Sequence, residues 1–201
     1  LYPFWYEEDD AAQDPALRRA ALETIRRKLA WRDERPWAGV DGRSEMAFGL
    51  VGLGLAAARL GDADAALHCA QSLARDFWRP NAVSTHDGDS IFNVDASGGL
   101  PALVIEMLVQ SQPNSLDLLP ALPASWPSGS IRGVRARGGV LVEELRWDPD
   151  GATAIIRAVP GSAAARDGDT VRIRGLGTDV TVDLAEGPRT VRLERAGAIL
   201  S

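Results

Sequence analysis

Acid–base side chains crowd into one stretch of the 201-residue chain. His86, Asp87 and Asp89 precede a short apolar run, Ile91 to Val94, which contains Asn93 and delivers Asp95. Gly98 and Gly99 follow at once. A positioned carboxylate can draw a proton from water, and a histidine beside carboxylates can move protons or hold a metal. The metal signal is weak, because the chain has two histidines and one cysteine and no spaced ligand set. Neither a metal nor a cofactor is expected. Plainer roles stay open. A carboxylate at a helix entrance can cap free backbone N–H groups, and His86 can be ordinary loop polarity.

The elements that must hold Asp95 follow from periodicity. Leu100, Leu103, Val104, Met107 and Leu108 recur at helical spacing, which predicts a buried helix just after the glycines. Pro101 suits the first turn of such a helix. Upstream, Asp14 and Pro15 open a helix with Leu17, Ala21, Leu22, Ile25 and Leu29 along one face. Residues 31–42 read as a loop. A helix over about 44–60 is apolar on most sides and so buried on more than one. Its Gly49, Gly52 and Gly54 permit close approach by neighbours. Gly61 and Asp62 stop it, and a third helix spans about 63–77, making an αα-hairpin. Near the start, Tyr2, Phe4, Trp5 and Tyr6 put four aromatics in six positions. Tyr2 and Trp5 are candidate sugar-stacking residues, with core filling as the alternative. Residues 7–10 are a solvated acidic run.

Composition narrows the classes. Charged residues are 25% and hydrophobic ones 45%, an ordinary globular balance. A net charge of −6 argues against a nucleic-acid groove, which needs a basic face. No apolar run reaches the ~18 residues of a membrane span. The lone Cys69 excludes an intrachain disulfide. The four prolines of residues 113–130 exclude helix and mark a boundary, giving domains at 1–115 and 116–201. Beyond it the period changes to two. Segments near 131–137, 139–147, 152–159, 169–174, 178–184 and 188–194 alternate, with glycine and proline turns between them. The expectation is an α+β chain, helical first and then a small antiparallel β-sandwich.

Several offset runs resemble the C-terminal part of glycoside hydrolase family 95, the inverting α-L-fucosidases. They are Phe92-Asn93-Val94-Asp95, Gly99, Glu106 to Ser111, Leu118 to Pro123, Trp126 to Gly129 and Gly133 to Gly139. The resemblance covers most of the chain and is densest over 90–147. It implies that the helices end an (α/α)6 barrel and that a β-domain closes the chain. It also implies catalysis by inversion, with Asp95 matching the aspartate that readies the attacking water. Inversion places two carboxyl groups ~6.5–9.5 Å apart. No segment here matches the family's glutamic acid or its paired asparagines, and Glu106 reads as structural. Asn93, His86, Tyr2 and Trp5 are the expected substrate contacts. An oligosaccharide or glycoside is the expected substrate, and nucleic acid and membrane are not expected partners. Apolar faces at 44–60 and 100–109 imply a cover, either missing N-terminal sequence of the same protein or a second copy.

The chain also departs from the family pattern. The family's Gln is Asn93 here, its Gly-Asn-Phe after the aspartate is Ala96-Ser97-Gly98, and Gly52-Leu53 stands where a Trp-Lys pair is expected. Hydrolysis of another α-L-sugar and a non-catalytic carbohydrate-binding or scaffold module are therefore the alternative readings. A lyase or phosphorylase on the same barrel is a more distant one.

Overall fold

The computed structural model describes residues 1, 4, 14–34, 46–87, 91–166 and 169–195. Tyr2, Trp5, the acidic run and Asp89 lie outside the described residues. Two compact units divide the chain, Leu1–Met107 and Leu108–Ser201.

The first unit is helical. Helix α1 spans Pro15–Asp33, capped where the Asp14 carboxylate accepts from the N–H groups of Ala16 and Leu17. It therefore runs through Trp31, into the stretch read as a loop. Ala21, Ile25 and Leu29 form its buried stripe. Helix α2, Ala47–Arg59, buries Ala47, Leu50, Leu53 and Ala56 to Ala58. Helix α3, Ala63–Asp76, starts from an Asp62 cap and buries Ala66, Cys69, Ala70 and Leu73. Helix α4, Asp95–Leu108, begins earlier than its apolar periodicity suggests. Pro101 consequently lies inside it and not in its first turn. The early start has a local cause. The Asn93 side chain accepts from the Asp95 N–H, and the Val94 carbonyl already accepts from the Gly98 N–H at 3.0 Å.

Two glycines set how closely α2 and α4 approach. A Cβ on Gly99 of α4 would lie 2.2 Å from Cγ2 of Val51. A Cβ on Gly54 of α2 would lie 2.5 Å from Cδ2 of Leu103 and 2.9 Å from Cβ of Cys69. Each helix thus receives a side chain of the other where it has none of its own. Polar ties also join the helices. Arg18 of α1 donates to the Leu60 carbonyl at 3.1 Å. Arg32 of α1 pairs with Asp76 of α3 at 2.7 Å. The Arg59 Nη2 to Glu106 Oε2 distance is 3.3 Å, so Glu106 ties α4 to α2, in keeping with a structural role.

The second unit holds two four-stranded sheets. One has the order β1 (Val109–Gln112), β2 (Ser115–Leu118), β6 (Thr170–Gly175) and β7 (Thr178–Asp183). The other has the order β3 (Gly129–Ala136), β4 (Val140–Asp148), β5 (Gly151–Ala158) and β8 (Arg189–Glu194). The chain is α+β, helices first and sheets after. The six alternating segments correspond to β3 through β8. Strands β1 and β2 were not legible, because each has only four residues and proline and asparagine separate them. The sheets are not purely antiparallel either. β2 pairs with β6 in parallel, which the long crossover through β3, β4 and β5 allows. Val134, Val142, Leu145, Ala154, Ile156 and Leu193 bury the inner face of the second sheet, and Leu116, Leu118, Val171 and Ile173 that of the first. A Cβ on Gly175 would meet the Leu118 carbonyl at 2.5 Å and Leu193 at 3.1 Å, so the two sheets pack together there.

Both helical devices can be tested. Gly99→Ala should lower stability by about 1–3 kcal/mol through overpacking, despite alanine's better helix propensity. The urea midpoint reads this. Val51→Ala in the same chain should recover part of the loss, a coupling that independent sites do not show. The second test concerns acid unfolding. Burial works to raise the Asp76 pKa, but hydrogen bonds from Arg75 and Arg32 outweigh it and hold the carboxyl below its ordinary value. A depressed folded-state pKa gives stability that is present above the unfolded pKa and is lost as pH falls through the folded one. Asp76→Asn should therefore flatten the acid limb of stability below about pH 4, measured by thermal midpoint against pH.

Candidate functional site

Residues 77–95 build the site as a small hairpin laid against the start of α2. Phe77 accepts from the Thr85 N–H at 2.9 Å, and Trp78 bridges to Ser84. Thr85 bridges to Phe92, and the His86 N–H donates to the Ile91 carbonyl at 2.9 Å. The Asn93 N–H returns to the Ser84 carbonyl at 3.1 Å, while the buried Ser84 hydroxyl donates to the Asn93 carbonyl at 2.5 Å. A bond from the Ala47 N–H to the His86 carbonyl at 2.8 Å ties this hairpin to the start of α2. Ser84 and Thr85 are buried polar residues, and the bond from the Ser84 hydroxyl shows why that side chain is tolerated there.

The hairpin brings His86, Asn93 and Asp95 together. The Asn93 Nδ2 lies 3.2 Å from the His86 Nδ1. The Asn93 Oδ1 accepts from the Asp95 N–H. The Asp95 Oδ2 is 3.7 Å from the same His86 Nδ1, beyond hydrogen-bonding range. The imidazole and the carboxyl are each 26% exposed. Tyr2 and Trp5 fall outside the described residues, so the structure does not place them at the site. Phe4, between them, is buried.

Asn93, not Asp95, ties down the start of α4. Among the described residues the Asp95 carboxylate accepts no backbone N–H. It stands one helical turn before Gly99, so the Gly99–Val51 contact fixes where it points from. A carboxylate held on a packed helix, partly exposed and not engaged in capping, can accept a proton from water. Among the described residues no three His, Cys, Asp or Glu side chains are grouped to hold a metal ion. No described helix is long and apolar enough to cross a membrane.

Large apolar side chains flank this polar trio in the sequence. Ile91, Phe92 and Val94 are 55%, 67% and 64% exposed. Met46 and Phe48, at the end of α2 that meets the His86 carbonyl, are exposed as well. The expected apolar face over 44–60 and 100–109 is mostly spent inside the unit, since Leu50, Leu53, Leu103 and Met107 are buried. Of those stretches Met46, Phe48 and Ile105 remain exposed, and Ile91, Phe92 and Val94 are exposed beside the site.

The second unit holds the later of the family-like sequence runs, from Leu118 to Gly139. The Trp147 indole donates to the Trp126 carbonyl at 3.0 Å, and its ring fills the space a side chain on Gly129 would need. Gly138 and Gly139 have φ of 73° and 81°, which lets the chain turn between β3 and β4.

Residues 110–194 match the glycoside hydrolase family 95, C-terminal domain. "Alpha-L-fucosidase 2" of Arabidopsis thaliana is 56% identical over 57 residues, 28% of this chain and 7% of that protein. "Probable alpha-fucosidase A" of Aspergillus niger is 28% identical over 111 residues, 50% of this chain and 14% of that protein. Its namesake in Aspergillus oryzae is 37% identical over 70 residues, 30% of this chain and 10% of that protein. The chain thus spans between 7% and 14% of the length of these curated relatives.

Proposed function

We propose that this chain, whose residues 110–194 match the glycoside hydrolase family 95, C-terminal domain, is part of an inverting glycosidase acting on α-L-fucosides, with Asp95 as general base. The helices of the first unit are read as the end of its (α/α)6 barrel. One observation carries the proposal. The Asp95 carboxylate is anchored through its backbone and Asn93, yet among the described residues it caps nothing.

In this reading Asp95 accepts a proton from a water molecule as the water oxygen attacks the anomeric carbon. The bond to the leaving oxygen breaks, and a second carboxylic acid protonates that oxygen. Attack from the face opposite the leaving group inverts the configuration. The acid is assigned to sequence beyond this chain, because Glu106 is engaged with Arg59. His86 and Asn93, which lie beside Asp95, are proposed to contact the sugar. Tyr2 and Trp5 are proposed to complete the sugar-binding surface. The substitutions at Asn93, Ala96 to Gly98 and Gly52-Leu53 admit a different α-L-sugar in place of fucose.

Asp95→Asn in the complete enzyme should lower turnover on an α-L-fucoside by about 10²–10⁴-fold, with the urea midpoint close to that of the parent. Parent-like hydrolysis by that variant would falsify the base role. The exposed Phe92 and Phe48 favour one second reading, a carbohydrate-binding module without catalysis. Titration with fucosylated oligosaccharides separates the two. Saturable binding with no hydrolysis by the complete protein supports the module.

A further inference from the structure

The geometry points to Asn93 as a positioning residue that fixes the tautomer of His86 and so keeps the Asp95 carboxylate out of a hydrogen bond with the ring. A carboxamide has an accepting end and a donating end. The Asp95 N–H needs an acceptor and finds the Asn93 Oδ1. That bond settles which way the amide faces. Its Nδ2 is then the end 3.2 Å from the His86 Nδ1. Nδ2 brings only protons, so Nδ1 must offer its lone pair, and the neutral ring carries its proton on Nε2. Reversing the amide would set its NH2 group against the Asp95 N–H and lose that bond.

The consequence falls on Asp95. Its Oδ2 is 3.7 Å from the same Nδ1. With no proton on Nδ1, nothing draws the two groups into a hydrogen bond. The carboxylate keeps its lone pairs for a solvent molecule. Without the Asn93 amide, the proton could move to Nδ1 and bond Asp95. A hydrogen bond to the charged form lowers a carboxylate's basicity. The value of this arrangement to catalysis rests on the proposed role of Asp95, but the tautomer itself does not.

The test reads the ring directly. The full chain is labelled with nitrogen-15 and its imidazoles are observed at about pH 8, where an ordinary histidine is neutral. There are two histidines, so each ring is resolved separately. His68, whose Nε2 lies 3.1 Å from the Asp33 Oδ1, serves as the internal reference. The expected result is a His86 ring with Nε2–H favoured over Nδ1–H by about fivefold or more, the ratio one ordinary hydrogen bond supplies. Asn93→Asp keeps an acceptor for the Asp95 N–H but presents no donor to Nδ1. In that variant the His86 proton should move to Nδ1 while His68 stays unchanged. A parent His86 protonated on Nδ1, or an Asn93→Asp variant with an unaltered His86 spectrum, overturns the inference. If the variant does not fold, the parent spectrum decides alone. The outcome is separable from the base assignment. An Nε2–H ring together with a fully active Asp95→Asn enzyme leaves the tautomer assignment standing and removes the base, and the opposite pair of results does the reverse.

Discussion

The first unit depends on how closely α2 and α4 can approach. Val51 lies where a side chain on Gly99 would be, and Leu103 lies where one on Gly54 would be. Glycine in a helix interior costs about 1 kcal/mol relative to alanine. That cost is met here because each glycine admits a large apolar neighbour into a packed core. The contact also sets a position. Asp95 is four residues before Gly99, on the same face of α4 and one turn nearer its start. Any shift of α4 along α2 would carry the carboxylate with it.

Packing places the helix, but backbone hydrogen bonds place the other two polar groups. His86 and Asn93 belong to no long element. Their positions come from paired bonds within the hairpin and from a bond between the Ala47 N–H and the His86 carbonyl. The hairpin is polar inside, at Ser84 and Thr85, and apolar outside, at Ile91, Phe92 and Val94. This reverses the usual arrangement. It follows from a short segment whose backbone bonds must be completed locally, leaving its large side chains no core to enter.

Much of the architecture was legible because it rests on period. Four helices and six strands announce themselves through buried stripes at Ile25, Leu50, Leu73 and Leu103 and through alternation at Val140, Val142, Leu145 and Trp147. The remainder depends on contacts distant in sequence. The parallel pairing of β2 with β6 cannot be read from four residues of β2. The start of α4 was hidden because an asparagine side chain, not a run of apolar residues, determines it. Pro101 looked like a first-turn residue and is an interior one for the same reason. At the site, the sequence set His86, Asn93 and Asp95 within ten residues, and the structure holds the three side chains close together. The sequence could not say which of them would tie down the helix.

That division of work between neighbours is the main chemical point. A carboxylate and a carboxamide can both secure a helix start. Were Asp95 to do so, its charge would be shared with backbone N–H groups and its affinity for a proton would fall. Because Asn93 accepts from the Asp95 N–H, the anchoring falls to a group that cannot ionise. The remaining end of the same amide faces His86, the one described base close enough to compete for the carboxylate. A single neutral side chain therefore fixes the acid's backbone and occupies its nearest rival. The arrangement is economical because the amide's two ends have opposite hydrogen-bonding character, so satisfying one determines what the other can do.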